Sequence, residues 1–218
     1  MTRKGFSIEA SDSVTPTVFV VDDDDSVRAS IVRLLHASGF RVRAFGSASE
    51  YLADSDPDCP GCLVLDLRMP EIDGLELQDR LAESDRVRPI LFLTGVGGVP
   101  ESVAAMKAGA ADFLEKPADP DRLVAAVRSA VAFDAERRRE SEQLARIQRR
   151  LDTLTRRERQ VFERVVVGRL NKQIARELGV SEKTVKVHRG RVMEKMEAAS
   201  LADLARLAER VGVGQPSS

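Results

Sequence analysis

Four short apolar runs, each delivering one chemically distinctive residue at its end, constrain this chain more than any other feature. Cys62-Leu63-Val64-Leu65-Asp66-Leu67-Arg68-Met69-Pro70 is the clearest: rich in β-formers and closed by Pro70, it reads as a buried strand. Thr17-Val18-Phe19-Val20-Val21 runs into Asp22-Asp23-Asp24-Asp25. Pro89-Ile90-Leu91-Phe92-Leu93 ends at Thr94-Gly95, and Ala111-Asp112-Phe113-Leu114-Glu115 ends at Lys116-Pro117. A carboxylate ending an apolar strand is poorly explained by packing, because a buried charge is costly unless it is paired. In open parallel α/β sheets, ligands and chemistry gather at the carboxyl ends of the strands. An acidic pair, a lone aspartate, a hydroxyl and an ammonium are therefore expected at one sheet edge.

The segments between these runs read as helices. Ser26 is expected to cap a helix with Val27, Ile31, Leu34 and Leu35 at helical spacing, ended by Gly39. Phe40 to Phe45 alternates as a second strand, and Ser47 with Glu50 makes a capping box for a short helix through Leu52. The spacing predicts further helices from Gly74 to about Glu83, from Pro100 to near Gly109, and from about Pro120 onward. Strands alternating with helices imply a parallel sheet covered on both faces. From Leu123 to about Leu151 no Gly or Pro interrupts the helical pattern, and Val124, Val127, Val131, Leu144, Ile147 and Leu151 form an intermittent apolar stripe among charges. Fewer than three clean heptads favour a solvated linker helix over a coiled coil.

The carboxyl-terminal part begins with Thr155 and Glu158 as a second capping box. Four helices follow at roughly 156–167, 171–178, 182–197 and 201–211, with Gly168, Gly179, Ser181 and Ser200 as punctuation. Helix, short glycine-containing turn and helix is the helix-turn-helix pattern.

Charge separates the two parts. Residues 151–210 hold 14 Lys and Arg against 9 Asp and Glu, leaving 20 against 26 elsewhere, although the whole chain nets only −1. A basic segment on an acidic body points to a polyanion as partner of the smaller part. Aromatics are 4% of the residues and Trp is absent, which argues against an aromatic ligand pocket. No stretch approaches a membrane span, and Met1 to Pro16 lacks the apolar core of a signal peptide, so a cytoplasmic protein with a loose amino-terminal tail over 1–15 is expected. Cys59 and Cys62 form a C-x-x-C, but it precedes a strand and no second Cys pair or His cluster exists. A loop cysteine and a core cysteine explain it.

Over roughly residues 15 to 132, the ordered set Asp22-Asp23, Asp66, Thr94 and Lys116 resembles the receiver domain of bacterial two-component response regulators. The segment Leu154-Thr155…Glu158-Arg159-Gln160-Val161…Asn171-Lys172-Gln173-Ile174-Ala175…Ser181-Glu182-Lys183-Thr184-Val185-Lys186-Val187-His188 resembles the LuxR-type DNA-binding domain. Together they look like the FixJ/NarL class. The resemblance implies a flavodoxin-like receiver of five parallel strands, order 2-1-3-4-5, at 16–132. A helical linker at 133–152 and a four-helix helix-turn-helix domain at 153–213 would follow.

It also implies roles. Asp66 would accept a phosphoryl group from a sensor histidine kinase. Mg2+ would be held by Asp23, Asp66 and the Arg68 backbone carbonyl, with Asp22 acting through a water. Thr94 and Lys116 would contact the phosphoryl oxygens, and Phe113 would turn into space vacated by Thr94. Lys116-Pro117 invites a cis bond, which the family commonly has. Asp24 and Asp25 are open between a solvated charge run and helix amino-terminal charges.

In the helix at 182–197, the exposed side offers Lys183, Lys186, Arg189 and Arg191, while Val185, Val192 and Met196 fall on the core side. By resemblance, Lys186 and Val187 face bases in promoter DNA, and Thr184, His188, Asn171 and Lys172 position the backbone. Gly190 interrupts that helix where family members often carry a contacting side chain. A homodimer on paired half-sites is expected on activation, with RNA polymerase as a further candidate partner. The chain is not expected to be an enzyme beyond its own phosphoryl transfer and dephosphorylation. Other readings are a regulator of the same build that ignores phosphorylation, a small-molecule-gated LuxR-type sensor, and a metal-dependent phosphatase.

Overall fold

The computed structural model describes residues 15–54, 56, 58–83, 88–95, 103 and 105–213. They fall into two compact units divided between Arg137 and Arg138.

The first unit alternates strand and helix. It comprises β1 (Thr17–Val21), α1 (Asp25–Ala37), β2 (Arg41–Phe45), α2 (Ala48–Asp54), β3 (Gly61–Asp66), α3 (Gly74–Ala82), β4 (Ile90–Thr94) and β5 (Asp112–Glu115). The helix expected to start at Pro100 begins outside the described residues; Val103 and 105–107 are helical. All pairings are parallel and the order is β2-β1-β3-β4-β5. Side chains alternate across the pleat, so each central strand feeds two cores. Phe19, Val21, Leu63, Leu65, Ile90 and Phe92 pack on one face. Val18, Val20, Cys62, Val64, Leu91 and Leu93 pack on the other with Ile31, Leu35, Leu123 and Val127. A strand buried on both faces must read as a continuous apolar run, as β1, β3 and β4 do.

Local signals explain most helix starts. Asp24, not Ser26, caps α1: its carboxylate accepts from the Ser26 and Val27 amides at 2.8 and 3.0 Å. A carboxylate ahead of the first turn reaches two amides that would otherwise lack partners. Asp73 does the same for α3 through the Glu76 amide. At α2, Glu50 reaches back to the Gly46 amide while Ser47 accepts from that of Glu50.

Helix α4 (Pro120–Asp152) runs on through the division between the units. Within the first unit Leu123, Val127 and Ala130 bury against the sheet, and the buried Asp134 accepts a hydrogen bond from the Gly61 amide at 2.9 Å. Gly61 tolerates nothing larger. Its φ is +139°, and a Cβ there would lie 1.8 Å from the Thr17 carbonyl oxygen.

In the second unit the stretch expected to be solvated linker contributes Ile147 and Leu151 to the core. They pack with α5 (Arg156–Val166), α6 (Asn171–Leu178), α7 (Glu182–Lys195) and α8 (Leu201–Arg210). Thr155 and Glu158 form the anticipated capping box, and the buried Glu158 also pairs with Lys195 at 2.7 Å. No helix among the described residues is long and apolar enough to cross a membrane.

Candidate functional site

Parallel pairing places the carboxyl ends of β1, β3, β4 and β5 side by side. Val21 aligns with Leu65, Asp66 with Leu93, and Thr94 with Glu115. Asp22 follows β1, Asp66 and Thr94 end β3 and β4, and Lys116 follows β5. Asp22, Asp66 and Thr94 are buried, whereas Asp23 is exposed. The Lys116 ammonium bridges two carboxylates, lying 2.7 Å from Asp22 Oδ2 and 3.0 Å from Asp66 Oδ2.

Burial pushes the Asp22 carboxyl above the usual carboxylate range, against the pull of Lys116. Burial works to lower the Lys116 ammonium, but its bonds to Asp22 and Asp66 prevail and hold it above its ordinary value. Asp22 Oδ1 accepts from the Asp24 amide at 3.0 Å, and Asp66 Oδ1 from the Arg68 amide at 3.4 Å.

Asp22, Asp23 and Asp66 each offer a carboxylate oxygen, all within 4.8 Å of one another. An all-oxygen donor set of this size suits a hard divalent cation that keeps several waters, such as magnesium. Thr94 Oγ1 is buried with no hydrogen-bond partner among the described residues. Phe113, on β5, is half-buried with its ring 6.4 Å from that of Phe92. The Lys116-Pro117 bond is cis. The structure brings Asp22, Asp23, Asp66 and Lys116 together, with Thr94 ending the neighbouring strand. Phe113 pairs with the Phe92 ring, and the Arg68 contact to Asp66 comes from its amide, its side chain being exposed.

Gly74 was legible only as a helix start. A Cβ there would lie 2.5 Å from the Asp66 carbonyl oxygen and 2.9 Å from Phe92, so α3 packs directly under the strand end. Asp24 and Asp25 resolve as helix-start residues, one capping α1 and the other paired with Arg28.

In the second unit, α6 and α7 are joined by a tight turn at Gly179. Val185, Val192 and Met196 face the core. Lys183, Lys186, Val187, Gly190 and Arg191 are exposed on α7, as is Lys172 on α6. Thr184 and His188 are half-buried, and Thr184 hydrogen-bonds Ser181 at 2.8 Å. Arg189 departs from expectation. It is half-buried, and its Nη1 donates to Asn171 Oδ1 at 2.9 Å.

A pocket of this make-up at the edge of a 2-1-3-4-5 sheet, followed by a basic helix-turn-helix, defines a receiver joined to a DNA-binding unit. Residues 18–128 match the response regulator receiver domain, and residues 152–208 match bacterial regulatory proteins of the luxR family. The chain is similar to Nodulation protein W of Bradyrhizobium diazoefficiens, 46% identical over 92% of this chain and 88% of that one. It is equally similar to the transcriptional regulatory protein FixJ of Azorhizobium caulinodans, 46% identical over 90% of this chain and 93% of the other. Among solved structures, the response regulator StyR superposes with a TM-score of 0.84 at 46% identity, over 90% of this chain and 99% of that one. The chain belongs to the response regulators that pair a receiver with a luxR-type helix-turn-helix, and is a phosphorylation-dependent DNA-binding transcription regulator.

Proposed function

We propose that Asp66 is the phosphoryl acceptor and that a sensor histidine kinase is the donor. The bond between phosphorus and the kinase's histidine nitrogen breaks as an Asp66 carboxylate oxygen bonds to phosphorus, and the histidine leaves as imidazole. Lys116, already between Asp22 and Asp66, is the observation that carries this reading: its ammonium stands where phosphoryl oxygens on Asp66 would need a counter-charge. Mg2+ would be held by Asp23, Asp66 and the Arg68 carbonyl, with Asp22 acting through a water. When bound it supplies charge neutralisation and alignment of the phosphoryl oxygens. The Thr94 hydroxyl donates to one of those oxygens and moves toward it, and Phe113 turns into the space left behind.

Helix α7 enters the major groove of promoter DNA, with Lys186 and Val187 facing bases and Lys183 and Arg191 neutralising phosphates. Lys172, Thr184 and His188 position the backbone. Phosphorylated chains pair as a homodimer on two half-sites, where RNA polymerase is recruited. The receiver's catalysis is confined to its own phosphoryl group.

Incubation with radiolabelled phosphoramidate and Mg2+ should label the parent chain and leave Asp66→Asn unlabelled. Label retained on another residue would remove Asp66 from the role. Footprints that are equally strong with and without phosphorylation would uncouple the pocket from DNA binding.

A further inference from the structure

Three basic side chains of α7, on Lys183, Lys186 and Arg191, stand in solvent, but Arg189 does not join them. It turns toward the first residue of α6 and donates to Asn171 Oδ1 at 2.9 Å. A guanidinium carries only donors, so the asparagine must meet it with its carbonyl oxygen. That settles the amide's orientation: the amino group, with both N–H donors, is directed away from Arg189. Asn171 occupies the end of α6 where backbone amides lack partners within the helix and the helix dipole is positive. Its capping position is Leu170, which supplies no side-chain hydrogen bond, and the next residue is the exposed Lys172. The amino group of Asn171 therefore belongs to a donor-rich end beside α7.

We propose that Arg189 is a positioning residue for DNA binding. It reads no base; it holds the Asn171 amide in the orientation in which the amino group donates to a backbone phosphate flanking the groove that α7 occupies. This rests on the assignment of α7 as the recognition helix. Phosphate contacts fix register rather than sequence, so the pair acts on affinity for any duplex.

The test is a double-mutant cycle on the full-length chain, binding a short random-sequence duplex at about 50 mM salt, where backbone contacts dominate. Arg189→Met keeps the aliphatic stem and removes the donors; Asn171→Ala removes the amide. Each is expected to weaken binding about 5- to 10-fold, and the double variant to be no weaker than the poorer single within about twofold. Melting temperatures should stay within about 2 °C of the parent's. Losses that multiply would make Arg189 an independent DNA contact, and losses that track falling melting temperature would make the pair a fold element; either overturns the proposal. Lys183→Ala, at a phosphate-neutralising position of α7, supplies the separate arm. If it weakens binding while Arg189→Met does not, only the positioning role falls. If neither variant changes binding, the placement of α7 in the groove falls with it.

Discussion

The two sites of this chain are built on opposite plans. The pocket draws its residues from four strand ends scattered over the first unit, and its two buried carboxylates, Asp22 and Asp66, share the Lys116 ammonium. The face proposed to meet DNA lies on one helix and the start of its neighbour, and most of its charges stand in water. In the first plan, chemistry and folding share the same contacts. In the second, only the residues behind the helix hold the fold, so the side chains in front are free for a partner.

The largest expected effect tests that dependence from the far end of the sheet. Gly61→Ala forces a Cβ onto the Thr17 carbonyl and should cost about 3 kcal/mol. Urea denaturation should show the receiver transition moved while the helices of the second unit persist. A transition at the parent's midpoint would mean that the pocket does not depend on tight packing at the other strand ends.

Leu151→Ala is the counterpart in the second unit. Leu151 is 1% exposed, and removing it should destabilise that unit by about 3 kcal/mol and leave phosphoryl labelling intact. Loss of labelling would blur the division between the plans. Lys116→Met should slow labelling about 100-fold by removing the cation aimed at the developing charge. A rate equal to the parent's would break the link between the ion pairs and the chemistry.

Glu158 offers a milder test, because its charge is structural. The hydrogen bond from Lys195 and that from the Thr155 backbone hold its carboxyl at about 2 against an ordinary 4.5. Its folded value lies below the unfolded one, so the stabilisation is present at neutral pH and is lost as pH falls from about 4.5 toward about 2. Glu158→Gln should cost about 1–2 kcal/mol at pH 7, with the gap to the parent closing over that window. A gap that stays constant with pH would show the pair to be inert. Smallest of all, Gly190→Ala should stabilise α7 by up to about 1 kcal/mol, since a Cβ there meets nothing within 4 Å. Calorimetry would detect the rise in melting temperature.

The contrast also explains what could be foreseen. Strands buried on both faces have to be apolar throughout, so Asp22, Asp66, Thr94 and Lys116 stood out at the ends of their runs. Sheet order then made them neighbours. Pairing was not legible, because nothing in a lone Lys116 says that it bridges two particular carboxylates. The cap of α1 lies two residues before Ser26, since the Asp22–Asp25 run hides a capping residue among site residues. Ile147 and Leu151 read as a sparse stripe on a charged helix, and a stripe does not name the surface that covers it. The turn of Arg189 toward Asn171 depends on how α6 and α7 cross, which spacing along either helix does not encode.

Gly74 has a mechanical consequence. With α3 pressed so close that a single methyl group would strike the Asp66 carbonyl oxygen, the floor beneath that aspartate cannot sink. Bulk added to its carboxylate meets no give from that side, and the neighbour beside the carboxylate is the Lys116 ammonium. The room beneath the strand end is thus closed off by a position that can spare no side chain.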